Sequence, residues 1–172
     1  MADQKTIIRE LRIMHACELG AVGVYRGHKC VARYVFRRAI KELDVMRSHE
    51  RNHVNIFLQL LKDRKARPCI GYNAFFWGGL LYGVLVGLFG LRAIGESTKT
   101  IESIVLKELD DTLLTLSNDD VIANVIREVK SDELNHQNAG IGFVGESYAL
   151  SKAISKIAKS GAYTAKYAAS IL

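Results

Sequence analysis

The chain has 172 residues, of which 49% are hydrophobic and 24% are charged, and its formal net charge is +6. This composition argues against a mainly disordered chain, and a single proline excludes a proline-rich linker protein. Three cysteines without a Cys-x-x-Cys pair argue against a disulfide scaffold and a four-thiolate zinc site. The sequence pI of about 9.3 predicts an anionic partner, either nucleic acid or lipid.

Apolar residues at helical spacing predict four helices, and no segment alternates as a β-strand does. The helices are expected at about residues 8–34, 38–65, 101–116 and 119–137. The turn before the last helix is Ser117-Asn118-Asp119-Asp120, in which either aspartate suits an N-cap. We therefore expect an all-α fold.

Residues 69–91, between the second and third helices, form a run of 23 positions without Asp, Glu, Lys or Arg. The run is long enough to span a membrane. Gly79, Gly83 and Gly87 follow one another at four-residue spacing, which lets helices approach closely.

The C-terminal segment, residues 148–172, predicts a basic amphipathic helix. Lys152, Lys156 and Lys159 share one helical face. Such a face belongs either to an ordinary packing helix with exposed lysines or to a helix on a membrane surface. The lysine spacing alone does not decide between the two.

Polar residues interrupt the apolar faces of all four predicted helices, and they form a repeat. In chain order they are Glu18, then Glu50 with His53, then Glu102, then Glu133 with His136. The interval between the two glutamates is 32 residues in the first copy and 31 in the second. Each copy therefore contains a lone Glu, about one helical hairpin, and a Glu-x-x-His pair.

The repeat is chemically consistent with a pair of metal ions. Residues three apart lie on one helical face, about 4.5 Å apart along the axis, so each Glu-x-x-His pair can reach one ion. Four buried carboxylates would repel one another without cations. Two divalent ions would balance them, and mixed oxygen and nitrogen ligands favour iron or manganese over zinc. This is the ligand set of ferritin-like di-metal bundles, so we expect a ferritin-like four-helix bundle.

Each element of the repeat is weak by itself, because one Glu-x-x-His arises by chance and a lone buried Glu or His is usually paired within the protein. His15 and His49 lie near the predicted ligands, and we interpret them as outer contacts or as packing residues. Four aspartates are candidate acceptors for the ligand imidazoles, and spacing does not choose among them. They are Asp44, Asp110, Asp111 and Asp132.

The sequence around these ligands resembles the demethoxyubiquinone hydroxylases, which are membrane-associated di-iron quinone monooxygenases of ubiquinone biosynthesis. Residues 11–21, LRIMHACELGA, are similar to the opening motif LRxxHAGExGA of that family. The segments ERNH at residues 50–53 and DELNH at 132–136 are similar to its two Glu-x-x-His segments, and Arg67-Pro68 also matches. The resemblance covers nearly the whole chain.

The resemblance implies that iron is the metal, that the six residues of the repeat are its ligands, and that Glu50 and Glu133 bridge the two ions. It implies an O₂-dependent hydroxylation of the ring of a demethoxyubiquinone-type polyprenyl quinol. NADH or the quinol itself would supply electrons. Because no dinucleotide-binding fingerprint is present, no NADH site is assigned.

The resemblance also implies the partners and the location. The partners are the polyprenyl benzoquinone, O₂, membrane lipid and either a second copy or another ubiquinone-biosynthesis protein, and nucleic acid is not among them. The location is peripheral, on the cytoplasmic face of a bacterial inner membrane or on the matrix face of a mitochondrial inner membrane.

The chain departs from the family pattern in two places. Cys17 stands where a glycine is usual, which brings a thiol next to Glu18. The stretch Lys107-Glu108-Leu109 replaces a His-Tyr pair that the family often has, so no electron-delivery role is carried over to it. Glu108 is a rival for Glu102, but it would break the repeat, so we prefer Glu102.

The repeat changes the interpretation of the run at residues 69–91. A single membrane crossing would place the two half-sites on opposite sides of the bilayer, although both must supply one centre. We therefore expect a bent or short helix in the membrane interface at the substrate entrance. Its expected anchors are Phe75, Phe76, Trp77 and Tyr82. The alternative is a crossover buried against the bundle or in a dimer interface.

Residues 1–172 are accordingly expected to form one ferritin-like di-iron domain that includes the crossover and the basic C-terminal segment. The alternative function is a ferritin-like iron-oxidising or iron-storage protein without a quinone substrate, whose soluble shell-forming surface the charge-free run does not favour. A membrane adaptor would leave the repeat unexplained. Nucleic-acid binding lacks a reader motif.

Overall fold

All four helices predicted from apolar spacing are present, together with a crossover helix and a C-terminal helix. The computed structural model describes residues 3–116, 119–146 and 148–172. The helices are α1 (Gln4–Val35), α2 (Ile40–Asp63), α3 (Asn73–Gly87), α4 (Leu91–Leu116), α5 (Asp120–Val144) and α6 (Ser151–Ile171). A short 3₁₀ turn, Arg37–Ala39, links α1 to α2. The all-α fold class is confirmed, since the described part of the chain contains no strand.

Helices α1, α2, α4 and α5 form a ferritin-like bundle around two apolar clusters, one at each end. The first cluster joins the start of α1 and α5 to the end of α2 and α4, and includes Leu11, Phe57 and Ile126. The second joins the opposite helix ends and includes Met46 and Ile94. Helices α2 and α4 therefore run in the same direction, and the chain must return along the bundle between them.

Helix α3 makes this return. Its 15 residues span about 22 Å at the usual helical rise. It lies against α1, and glycines in both helices allow their backbones to meet. A Cβ added to Gly23 or Gly27 of α1 would collide with the α3 backbone, and one added to Gly79 or Gly83 would collide with the α1 backbone. The close approach predicted from glycine spacing is therefore confirmed, with Gly87 meeting a side chain instead of backbone.

The opposite face of α3 carries an apolar stripe that no described residue covers. Its members are each more than half exposed, and they are Trp77, Leu81 and Leu85 of α3 with Leu88 and Phe89 just after its end. Across the described ranges, no helix combines the length and the hydropathy that a membrane crossing requires. The crossover thus packs on the bundle by one face and leaves the other apolar face open.

Helix α4 begins ten residues before the periodic segment from which it was predicted. Nearly all of residues 91–100 are buried, so this part of the helix has no polar face and gives no amphipathic signal. Close packing against α5 contributes to that burial, since a Cβ on Gly95 would lie 2.6 Å from the carbonyl oxygen of Gly140.

The start of α5 agrees with one of the two predicted caps. Oδ1 of Asp119 accepts a hydrogen bond from the backbone nitrogen of Ile122 at 3.1 Å, so Asp119 is the N-cap. The turn residues Ser117 and Asn118 lie outside the described ranges. Helix α5 continues to Val144, beyond the predicted end at residue 137.

Helix α6 packs on α4 and α1 through a narrow buried face. Ile154, Ala158 and Ala169 are buried on that face. Lys152, Lys156 and Lys159 are exposed on the other, as their spacing predicted.

Candidate metal centre

The six residues of the repeat meet in the middle of the bundle, between the two apolar clusters. Each is at most 6% exposed. They are Glu18 from α1, Glu50 and His53 from α2, Glu102 from α4, and Glu133 and His136 from α5. The helical period explains this meeting, because Glu18 lies on the same face of α1 as Leu11 and Tyr25, which belong to the clusters.

The ligand atoms form two overlapping groups, and within each group all of them lie within 4.8 Å of one another. The first group contains Glu18, Glu50, His53 and Glu133, and the second contains Glu50, Glu102, Glu133 and His136. Glu50 and Glu133 belong to both. The geometry therefore offers two adjoining sites that share two carboxylates.

Several atoms of these sites are buried without a hydrogen-bond partner among the described residues. They are both carboxylate oxygens of Glu50, Oε1 of Glu133 and Nδ1 of His53. Nδ1 of His53 lies 3.1 Å from Oε1 of Glu133 and 3.6 Å from Oε2 of Glu18, without hydrogen-bond angles. Buried polar atoms are nearly always hydrogen-bonded, so lone pairs that converge in this way suit a cation. The residues present fit two divalent ions.

Electrostatics within the cluster favour protons on it when no cation is bound. Burial, followed by the charge of Glu50, raises the pKa of the Glu18 carboxyl well above its usual range. Burial and the charge of Glu133 do the same to the pKa of Glu102. Burial alone would lower the pKa of His136, but the carboxylates of Glu133 and Glu50 outweigh it and raise that pKa to about 11. Cations that bind here therefore displace protons.

Two further residues contact the outer nitrogens of the imidazoles. Nε2 of His53 lies 3.2 Å from Oδ2 of Asp132, and Nε2 of His136 lies 3.1 Å from Nδ1 of His49. A partner on the outer nitrogen fixes the imidazole so that the inner nitrogen faces the ligand cluster. Among the four aspartates that spacing could not separate, Asp132 is the one that reaches a ligand imidazole.

Tyr25 is part of the site, although the sequence pattern indicated only an apolar core residue. Its hydroxyl donates a hydrogen bond to Oε1 of Glu102, and its ring lies edge-on to His136 with the centroids 5.9 Å apart. Burial, followed by the charge of Glu102, raises the pKa of Tyr25 well above its usual value, so the phenol keeps its proton. One feature of the sequence could have indicated this role: Tyr25 lies two helical turns after Glu18 on the same face of the helix.

His15 and Cys17 lie on α1 near Glu18 but outside the ligand cluster. The ring of His15 contacts that of Tyr72 at a centroid distance of 5.3 Å. Cys17 packs against an apolar cluster that includes Ile13 of α1 and Ala169 of α6. Burial, followed by the charge of Glu18, raises the pKa of the Cys17 thiol to about 12, so the thiol stays protonated.

Glu108 also lies outside the cluster. Its carboxylate forms an ion pair with Lys166 of α6 at 3.0 Å. Glu102, which is 2% exposed, is the α4 carboxylate that faces the other ligands. The preference for Glu102 over its rival thus agrees with the geometry.

The four expected interface anchors differ in exposure. Trp77 is 65% exposed on the apolar stripe. Phe75 and Phe76 are half-buried against α1, and Tyr82 is half-buried with its hydroxyl 2.8 Å from Oγ of Ser97. Only Trp77 of the four therefore belongs to the stripe, which is otherwise built mainly from leucines.

Comparison with known proteins shows that this chain is similar to one protein family and to three named relatives. Residues 5–169 match the model of the family described as "Ubiquinone biosynthesis protein COQ7". A protein of Dictyostelium discoideum named "NADPH-dependent 3-demethoxyubiquinone 3-hydroxylase, mitochondrial" is 29% identical over 94% of this chain and 76% of its own length. The protein of that name from Mus musculus is 24% identical over 88% of this chain and 73% of its own length. A "3-demethoxyubiquinol 3-hydroxylase" of Rhodospirillum rubrum is 30% identical over 78% of this chain and 63% of its own length.

Proposed function

We propose that this chain, which belongs to the COQ7 family of ubiquinone biosynthesis proteins, hydroxylates the ring of a demethoxyubiquinone-type polyprenyl quinol with O₂. The observation that carries the proposal is the pair of adjoining sites that share Glu50 and Glu133. The names of the three relatives, all 3-hydroxylases of demethoxyubiquinone or demethoxyubiquinol, support the substrate class. In this proposal the chain works as one catalytic unit.

The six clustered residues would hold two iron ions. Glu50 and Glu133 would contact both ions, Glu18 and His53 would complete one site, and Glu102 and His136 would complete the other. A bound pair of iron ions supplies the activation of O₂ that insertion of one oxygen atom into the ring requires.

The surrounding residues position this ligand set. Asp132 and His49 hold the two imidazoles from outside, so the inner nitrogens keep one orientation. Tyr25 holds one oxygen of Glu102 and keeps a proton at its hydroxyl beside the centre. Apolar clusters at both ends of the bundle keep bulk water from these groups.

We further propose that the apolar stripe of α3 lies in a membrane interface and that the quinol enters beside it. A polyprenyl quinol resides in lipid, so its enzyme needs an apolar entrance. The stripe faces outward from a helix whose other face contacts α1, the helix that carries Glu18. The exposed lysines of α6 would add attraction to anionic lipid. The protein would then be peripheral, on the inner membrane of a bacterium or a mitochondrion.

Iron loading and product analysis test the catalytic proposal. After anaerobic loading with ferrous iron we expect about two ions per chain, and with a short-chain demethoxyubiquinol and O₂ we expect the ring-hydroxylated product by mass spectrometry. Glu108→Gln is the matched control for Glu102→Gln, because the carboxylate of Glu108 also lies on α4 but outside the cluster. Iron that is bound and oxidised while the quinol stays unchanged would support the iron-storage alternative instead.

Vesicle flotation tests the membrane proposal. Replacing Leu81 and Leu85 by serine should sharply reduce flotation with vesicles that contain anionic lipid. Leu114→Ser is the control, because this leucine is 80% exposed but lies on α4, away from the stripe. Equal flotation of both variants would show that the stripe is not the contact surface.

A further inference from the structure

A groove of about 310 Å³ lies between α1 and α2, and Phe76 at the start of α3 forms part of its wall. Three arginines line it, Arg26 from α1 and Arg47 and Arg51 from α2. We refer to it as the arginine groove. Its remaining surface is mainly apolar, and the ring of Phe76 lies beneath the Arg26 guanidinium at 5.7 Å.

The arginine groove carries more positive than negative charge. Nη2 of Arg47 lies 3.4 Å from Oδ1 of Asp44, but Lys29 already contacts both oxygens of that carboxylate at 2.6 Å. Nε of Arg47 is buried and has no partner among the described residues. Within the same ranges neither Arg26 nor Arg51 forms an ion pair with a carboxylate. The groove therefore has guanidinium donors available for an anion.

The arginine groove lies directly behind the metal-binding turns. Leu19, Arg51 and Val54 line it, and they follow Glu18, Glu50 and His53 respectively in the sequence. A molecule in the groove would thus contact residues that directly follow three members of the ligand cluster on α1 and α2. This is a suitable position for a reductant of the substrate or of the centre.

We propose that the arginine groove binds the phosphate groups of NADPH, the reductant in the reaction proposed above, and this inference rests on that proposed function. Planar guanidinium groups bind phosphate oxygens in pairs, and three of them suit the additional phosphate that distinguishes NADPH from NADH. Two of the relatives are named as NADPH-dependent. The chain has no glycine-rich dinucleotide fingerprint, so side-chain donors replace the usual backbone donors.

The size of the groove limits what it encloses. At about 310 Å³ it is at the small end of ligand pockets, so it holds the phosphates while the rest of the dinucleotide lies along the surface. The redox balance is complete: a hydride from NADPH and one proton convert the quinone to the quinol and leave NADP⁺. The quinol and O₂ then give the hydroxylated quinone and one water.

Equilibrium binding to the full-length chain tests the proposal, with nicotinamide fluorescence as the readout. Replacing Arg26 and Arg51 together by glutamine should weaken NADPH binding by about tenfold or more, since charge-assisted hydrogen bonds are lost. NADH should bind more weakly than NADPH to the wild type, and the double replacement should narrow that difference. Arg127→Gln is the matched control, because Arg127 is exposed on α5 and its guanidinium donates a hydrogen bond to Asn124 of the same helix.

Two results would overturn the proposal. One is NADPH affinity that is equal in the double variant and the Arg127→Gln control. The other is loss of binding to phosphatidylglycerol vesicles with NADPH affinity unchanged, which would assign the groove to a lipid phosphate. A separate assay gives wild-type protein pre-reduced quinol and O₂ without NADPH. Absence of product there would count against the proposed function and would leave the NADPH binding result standing.

Discussion

The α1–α2 half and the α4–α5 half of the candidate metal centre provide the same side-chain types in different surroundings. In the second half, Glu102 accepts a hydrogen bond from Tyr25, whereas no described residue donates a hydrogen bond to Glu18. The outer partner of His53 is a carboxylate, and the outer partner of His136 is another imidazole.

This difference teaches that a sequence repeat can duplicate a ligand set without duplicating its environment. A carboxylate partner makes an imidazole a stronger donor to a metal than an imidazole partner does. A hydrogen bond to one carboxylate oxygen leaves the other oxygen free to face an ion. The two ions are therefore expected to bind with unequal affinity, and the following predictions test that inequality.

The largest effect is expected from the shared carboxylates. Glu50→Ala removes a ligand from both sites, so both ions should be lost, whereas Glu18→Ala or Glu102→Ala should each leave one ion. Iron analysis after anaerobic loading and desalting measures this directly. Retention of one firmly bound ion by Glu50→Ala would mean that the two sites are independent.

The next effect is the pH dependence of metal-free stability. The raised pKa of His136, about 11 in the folded chain, means that its protonation stabilises the fold fully below the ordinary value of 6.5. This stabilisation is lost as the pH rises through the window between the two values, by up to about 1 kcal/mol per pH unit. Denaturant unfolding between pH 6.5 and 9 should show the loss. His136→Gln should make the loss less steep without abolishing it, because the carboxylates of Glu133 and Glu18 also raise the pKa of His53.

A buried histidine outside the centre provides the control for that measurement. Burial lowers the pKa of His28 to about 3, so this side chain is neutral throughout the same window. His28→Gln should therefore leave the slope above pH 6.5 unchanged. An equal change of slope in both variants would show that the effect does not come from the ligand cluster.

A smaller effect is expected from the outer partners of the imidazoles. Asp132→Asn should weaken iron binding by about 10- to 100-fold, the usual effect of removing such a carboxylate. His49→Gln should weaken it less, since it removes an imidazole partner and leaves the Asp132 carboxylate in place. Competition with a chelator measures both, and Asp110→Asn, which changes an exposed aspartate paired with Lys130, is the control. A larger effect from His49→Gln would reverse the proposed inequality.

The smallest effect is expected at Tyr25. Tyr25→Phe removes the donor to Glu102 while keeping the ring, and one hydrogen bond makes a net contribution of about 0.5–1.5 kcal/mol. Part of this loss should appear as weaker binding of one ion, with the other unaffected. Stepwise iron titration measures the binding affinities of the two ions separately. The difference in iron affinity between wild type and Tyr25→Phe should vanish when both also carry Glu102→Gln.

The sequence was sufficient to predict the four bundle helices and the six clustered side chains. Buried charges are rare enough that Glu18 and the Glu-x-x-His pairs stood out from their apolar faces, and helical period alone places them inward. The early start of α4 was missed because residues 91–100 are buried on nearly all sides and carry no periodic contrast.

Contacts between distant segments were harder to predict. The choice of Asp132 among four aspartates depends on how α2 and α5 are rotated against each other, which no local pattern encodes. The bond from Tyr25 to Glu102 joins residues 77 positions apart. The arginine groove likewise combines arginines of α1 and α2 with Phe76 of α3, which lie far apart in the sequence.

The glycine contact between α1 and α3 is expected to make these two helices move together. Where backbone meets backbone, no side-chain rotamer can adjust to absorb a displacement. We therefore expect a tilt of α3 to displace the turn of α1 that follows Glu18. An apolar helix that supplies no residue to the ligand cluster would then influence the position of the Glu18 carboxylate.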